Sequence, residues 1–204
     1  MFRQVEALNA IYLDLGFERS LPATRGWAAS PDFLAVLIRH VSIARPAVIV
    51  ECGSGVSTLI LARALQINGH GRVYSLEHLP EHAAATQELL VRHNVDRFAT
   101  IVEAPLRRHR VADEERTWYS VDSLPESEID MLVIDGPPWT VGRLARYPAG
   151  PLLFPRLTGD GVVFLDDANR VDERAVLERW RDEYPGLTQQ KIECEKGCVT
   201  LRKR

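Results

Sequence analysis

Apolar residues recur along the chain in two alternating patterns, helical spacing and short unbroken runs. Residues 32–43, DFLAVLIRHVSI, carry the helical pattern behind Ser30 and Pro31, which suit a cap and a first helical position. The next run, AVIVEC at 47–52, is continuous and rich in β-branched residues, as in a strand buried on both faces. STLILARALQ (57–66) predicts a helix closed by NGHG, GRVYSLE (71–77) a strand, PEHAAATQELLVRHN (80–94) a helix, and FATIVEA (98–104) and IDMLVID (129–135) strands. GPLLFPRL (150–157) predicts a short helix, GVVFLDD (161–167) a strand, and DERAVLERWRDEY (172–184) an amphipathic helix. Two last strand candidates, LTQQKIE (187–193) and CVTLRK (198–203), flank CEKG, whose glycine suits a turn.

Strands separated by helices need crossover connections and imply a mostly parallel sheet covered on both faces. The expected fold is α/β: a doubly wound, seven-stranded sheet with an antiparallel C-terminal hairpin. At 204 residues with 46% hydrophobic content, the chain suits a single domain over 1–204, with residues 1–30 as a helix and a strap over the site. Residues 105–127 and 136–150 read as long irregular connections, and so as lids.

A net charge of −3 gives no electrostatic footprint for nucleic acid, and LRKR at the C-terminus is a short basic tail. The N-terminal stretch MFRQVEALNAIYLDLG mixes charges with apolar residues, so it reads as neither signal peptide nor membrane span, and a cytoplasmic protein is expected. AIYLDLGF within it could equally serve a homodimer contact. Three cysteines, with Cys194 and Cys198 spaced C-x3-C and no second pair, make no zinc site.

In open parallel sheets the ligand sits at the carboxyl ends of the strands, so the residues ending each strand carry the chemistry. The first strand ends in Glu51, followed by Cys52, Gly53, Ser54, Gly55, Val56 and Ser57. The glycines allow a sharp turn and close backbone approach, and the next helix offers free N–H groups. Glu77 ends the second strand twenty-two residues beyond Gly55, where a carboxylate can accept both ribose hydroxyls. A tight turn followed by a solvated acid would leave the same pattern. Thr58 stands where a dinucleotide fingerprint has its third glycine, which favours a ligand with one nucleoside and no pyrophosphate.

VECGSGVSTL, VYSLEHLPEHA, IDMLVIDGPP and VVFLDDANR together resemble the motifs of class I S-adenosylmethionine-dependent methyltransferases, over nearly the whole chain from Ser30. Within that class the chain is similar to the small-molecule O-methyltransferases of the catechol O-methyltransferase type, in a bacterial branch carrying DGPP. The resemblance implies S-adenosylmethionine as cofactor, with Glu51, Gly53, Ser54 and Gly55 at its methionine end and Ser57 and Thr58 nearby. It implies Glu77 on the ribose, His78 beside the adenosine, Glu103 and Ala104 bordering the adenine, and Asp135 beside the methyl group. It further implies Mg2+ held by Asp135, Asp166 and Asp167, with an aspartate where the family has an amide. Capping of the helix near 171 by Asp167, Asn169 or Asp172, and hydrogen bonding of loop amides by Asp135, account for these acids equally well. Pro138 stands where the family has its lysine base.

The expected activity is O-methylation of a small-molecule hydroxyl, with His78 and His109 as base candidates by residue type alone. Trp27, Trp118, Tyr119, Trp139 and Tyr147 could line an acceptor pocket, and Arg143 and Arg146 could attract an anionic acceptor; aromatics that pack the loops down and arginines that meet solvent or surface acids explain them as well. N-methylation would explain the absent lysine, because a neutral amine already has a lone pair. Methylation of RNA or protein, nucleotide-dependent oxidoreduction and non-catalytic cofactor binding also stay open at the level of sequence.

Overall fold

Alternation along the central strands decides the layering. The computed structural model describes residues 2–203. Helix α1 (Phe2–Leu15) and a strap lead into α2 (Pro31–Ala44), β1 (Val48–Cys52), α3 (Val56–Asn68), β2 (Arg72–Glu77), α4 (Pro80–Arg92) and β3 (Ala99–Glu103). A hairpin of β4 (Leu106–Val111) and β5 (Glu114–Tyr119) follows, then β6 (Ile129–Ile134), α5 (Ala149–Leu153), β7 (Leu157–Leu165), α6 (Val171–Glu183), β8 (Leu187–Ile192) and β9 (Cys198–Lys203). The main sheet has seven strands in the order β3-β2-β1-β6-β7-β9-β8. Neighbours are parallel from β3 through β7 and antiparallel at β7–β9 and β8–β9. This is the expected doubly wound α/β sheet with its terminal hairpin.

Successive side chains of a strand point to opposite faces. Ile49, Met131, Val133 and Phe164 therefore join one core with Ile11, Phe33, Leu37 and Leu59 of α1 to α3. Their neighbours Val50, Leu132, Ile134 and Val163 join a second core with Trp118, Leu153, Val176 and Trp180. Two covered faces explain why these strands read as unbroken apolar runs.

Residues 105–127 depart from the expectation of an irregular lid. Most of this stretch is the β4–β5 hairpin, a separate two-stranded sheet whose Val111 and Glu114 face each other across a two-residue turn. Parallel β3 and β6 need a crossover, and here the hairpin supplies it, burying Trp118 and Tyr119 in the second core. Those two aromatics are fully enclosed, as is Tyr147, so none of the three is free to line an acceptor pocket. Among the described residues, no helix is long and apolar enough to cross a membrane.

Candidate active site

The parallel ladder runs one step beyond each strand and brings four loop starts into one row. Gly53 N–H donates to Leu76 O at 3.0 Å, Ala104 N–H to Glu77 O at 2.7 Å, Asp135 N–H to Cys52 O at 3.2 Å and Asp166 N–H to Ile134 O at 3.1 Å. Between β1 and β6 the chain's connections diverge to opposite sides, the switch point where ligands of such sheets bind.

On the β1 side, Gly53 holds φ +103 and Gly55 φ +147, conformations that side chains with a Cβ rarely adopt. The turn is braced from below: Gly55 N–H donates to Thr58 Oγ1 at 3.0 Å, and the Thr58 and Ser75 hydroxyls donate to Glu51 Oε2 at 2.6 and 2.5 Å. Glu51 is almost fully buried, yet its Oε1 has no hydrogen-bond partner among the described residues. Burial pushes its carboxyl pKa up, against the hydroxyl contacts that lower it.

Glu77 Oε1 accepts the N–H groups of His78 and Leu79 at 2.8 and 3.0 Å, and Oε2 accepts the Ser54 hydroxyl at 2.8 Å. A carboxylate oxygen has two lone pairs, so Oε2 retains capacity for a further donor. His78 lies against this carboxylate, Nδ1 to Oε1 3.2 Å, with its ring edge on Tyr119. Ala104 is buried beside Glu77, whereas Glu103, paired with Glu77 in register, is exposed. Ser57 is buried in the first turn of α3. His109 lies on β4, within the hairpin.

On the β6–β7 side, Asp135, Asp166 and Asp167 each offer an oxygen within 4.8 Å of the others. Capping does not account for them: α6 has Arg170 at its cap, without a side-chain cap bond, and Asp172 accepts Leu144 N–H at 3.2 Å from the 136–150 connection. Arg146 enters this cluster: of its two readings, an anionic acceptor or nearby acids, the structure shows acids, and they are buried rather than at the surface. Its Nη2 lies 2.7 Å from Asp167 Oδ2 and 3.1 Å from Asp135 Oδ1, and its Nε 3.6 Å from Glu173 Oε1. The same guanidinium donates to the carbonyls of Asp166 and Asp135 at 2.8 and 2.6 Å.

Four carboxylates thus surround one buried guanidinium, supplemented by half-exposed Arg170, 2.9 Å from Asp167. Both Asp166 carboxylate oxygens, Asp167 Oδ1 and Glu173 Oε2 are buried without partners among the described residues. Burial first, then mutual repulsion offset by Arg146, pushes Asp135 up to about 6 and Asp166 up to about 8. Such an excess of buried negative charge, presented by oxygen donors alone, fits a hard divalent cation.

A protein-family profile described as a methyltransferase domain matches residues 50–168, more than half of the chain. The chain belongs to this methyltransferase family. No curated protein matches it in sequence. Among solved structures, it is similar to an O-methyltransferase from Bacillus cereus in complex with S-adenosylhomocysteine, at 20% identity and TM-score 0.61, covering 97% of this chain and 91% of that one. It is also similar to a Podospora anserina methyltransferase bound to S-adenosylhomocysteine, at 15% identity and TM-score 0.64 over 98% and 88% of the two chains. The O-methyltransferase TomG of Streptomyces achromogenes, involved in tomaymycin synthesis and in complex with S-adenosylmethionine, matches at 16% identity and TM-score 0.64 over 97% and 89%. Class I methyltransferase membership and the Rossmann-like fold are as expected.

Sequence reasoning did not find how this methyltransferase ties its parts together. Ser75 lies within the VYSLEHLPEHA motif but was not singled out, and Arg146 follows Asp135 by eleven residues with no local signal. Lys196 is equally unmarked. Its Nζ donates to the carbonyls of Gly26 and Ala28 at 3.1 and 2.8 Å, while its own carbonyl accepts Asn169 N–H at 3.1 Å. It therefore links the strap, which carries exposed Trp27, to the loop that bears Asp166 and Asp167.

Proposed function

We propose that the protein transfers the methyl group of S-adenosylmethionine to a hydroxyl oxygen of a small molecule, with a divalent cation at the acid cluster. The observation that carries this reading is the single row of strand ends, which sets a glycine turn and Glu77 beside three clustered aspartates with unpartnered oxygens. The bound forms of the three solved structures support the choice of cofactor.

The cofactor would supply a methyl group on a sulfonium, open to in-line displacement. Glu51 Oε1, the only oxygen of that carboxylate without a partner, would face the amino acid end, and the backbone at Gly53, Ser54 and Gly55 would pack against it. Ser57 and Thr58 would support that end. Glu77 Oε2 would accept a ribose hydroxyl, with His78 and Ala104 bounding the nucleoside and Glu103 at its outer rim. Asp135, Asp166 and Asp167 would hold Mg2+, which would lower the pKa of a bound hydroxyl and orient a second substrate oxygen. Arg146 holds Asp135 Oδ1 and Asp167 Oδ2 and so would orient both carboxylates toward the cation. Trp139, two-thirds exposed just past Asp135, and Trp27 on the strap would cover the acceptor. The whole chain would act as one catalytic domain, with residues 1–30 as helix and strap.

Pro138, in place of a lysine base, favours a second reading, transfer to an amine nitrogen. Titrating S-adenosylhomocysteine calorimetrically into the protein with and without Mg2+ tests the core of the proposal. Binding is expected, weakened roughly tenfold or more in Glu77→Ala, the loss of a charged hydrogen bond being worth about 1.5–3 kcal/mol. No binding with or without metal would sink the reading. Product masses from paired catechol and amine acceptors then separate oxygen from nitrogen transfer.

A further inference from the structure

A polar cavity of about 200 Å³ lies where the start of the strap meets α3 and the end of α4. Helix α4 begins just past the carboxyl end of β2 and runs thirteen residues, so its last turn is about 20 Å from the row of strand ends. This cavity is therefore separate from the candidate active site.

Three arginines line it, Arg19, Arg63 and Arg92. None of the three forms an ion pair among the described residues, and Glu18, the sole carboxylate lining the cavity, pairs with none of them. Arg63 is held in place: its Nε donates to Leu15 O at 2.8 Å and its Nη1 to the Gln66 amide oxygen, which leaves Nη2 without an acceptor among the described residues. Gly16 borders that nitrogen. It holds φ +58, and a Cβ there would come into van der Waals contact with Arg63 Nη2 at 3.6 Å, so the glycine lies directly beside the guanidinium edge. His93 Nε2 is buried without a partner on the same wall. Burial, followed by the charges of Arg19 and Arg92, holds the His93 imidazole below its ordinary pKa, which registers how close these uncancelled charges are.

We propose that this cavity binds a phosphate-type oxyanion, with Arg19, Arg63 and Arg92 as its cationic donors. Guanidinium forks match the paired oxygens of such an anion, and the pocket has room for a tetrahedral group. The carboxyl end of α4 disfavours an anion by its dipole, so binding depends on the arginines. The group can arrive as free phosphate or as a phosphomonoester of a larger molecule. Either would fix the root of the strap, through Arg19. The inference stands apart from the methyl-transfer reading.

Inorganic phosphate and, separately, glycerol 3-phosphate are titrated into the full chain in a low-salt buffer free of other oxyanions, against Arg19→Gln/Arg92→Gln. Both substituted residues are exposed, and an unchanged thermal midpoint in phosphate-free buffer confirms that the variant is folded. Saturable binding is expected in at least one arm, weakened at least about tenfold in the double variant, or about 1.4 kcal/mol. The tighter arm identifies the source of the group. Absence of saturable binding in both arms, or equal affinity in wild type and variant, overturns the proposal.

Discussion

Arg146 shows how one buried side chain can organise a site that it does not itself complete. Burial works against its charge, yet the carboxylates of Asp135, Asp167, Glu173 and Asp166 outweigh that cost and push the guanidinium pKa up. Taking it away leaves buried carboxylates facing one another with only half-exposed Arg170, on Asp167, as a cation. Arg146→Met is expected to cost about 3–5 kcal/mol in urea unfolding, the range for breaking a buried ion pair, with part of the loss recovered in millimolar Mg2+. An unaffected midpoint would mean that the cluster is balanced by other means. Glu51 and Glu77 were legible as candidates because each closes an apolar run. The cation among the aspartates was not legible, because charged pairs distant in sequence leave no periodicity.

At the scale of elements, the β4–β5 hairpin is anchored in the core by Val111, Trp118 and Tyr119. Its sequence conceals this: LRRHRV and EERTWY are mostly charged, and the turn between them has Ala112 at φ +53 in place of the glycine or asparagine that usually marks such a turn. The hairpin is paired along one side only, so its outer positions carry solvent-facing charge while Trp118 and Tyr119 go inward. Trp118→Ala is expected to destabilise by about 3–5 kcal/mol, since the indole is wholly enclosed. Trp139→Ala, at an exposed position in the next connection, is expected to stay within about 0.5 kcal/mol of wild type and to raise the acceptor KM. Chemical denaturation and steady-state kinetics on the two variants separate core from lid. Equal destabilisation would contradict that division. By contrast the β8–β9 hairpin was plain in the sequence, because Gly197 at φ +83 supplies the turn residue that the other lacks.

The whole molecule carries a pH dependence that no single element shows. His40 of α2 packs on Phe164 of β7, ring centroids 5.1 Å apart, and burial together with the Arg202 charge lowers its pKa from 6.5 to about 4. The unfolded chain protonates this imidazole near pH 6.5 while the folded protein resists until about pH 4. Stability is therefore expected to fall as pH drops through that window, and to fall less in His40→Gln; urea midpoints between pH 7 and pH 4 measure it. Matching slopes in the two proteins would exclude His40 as the cause. Outside the β4–β5 hairpin, element order, strand direction and the candidate residues at the strand ends were determined by the sequence itself, because local periodicity and turn chemistry act over a few residues and the crossover rule fixes the rest. Only the tertiary structure decided that Arg146 lies among the aspartates, that Lys196 ties the strap to their loop, and that three arginines from separate segments share one cavity. Those contacts join residues far apart in the chain, and the forces that pair them, desolvation and charge, depend on distances that exist only once the sheet has closed.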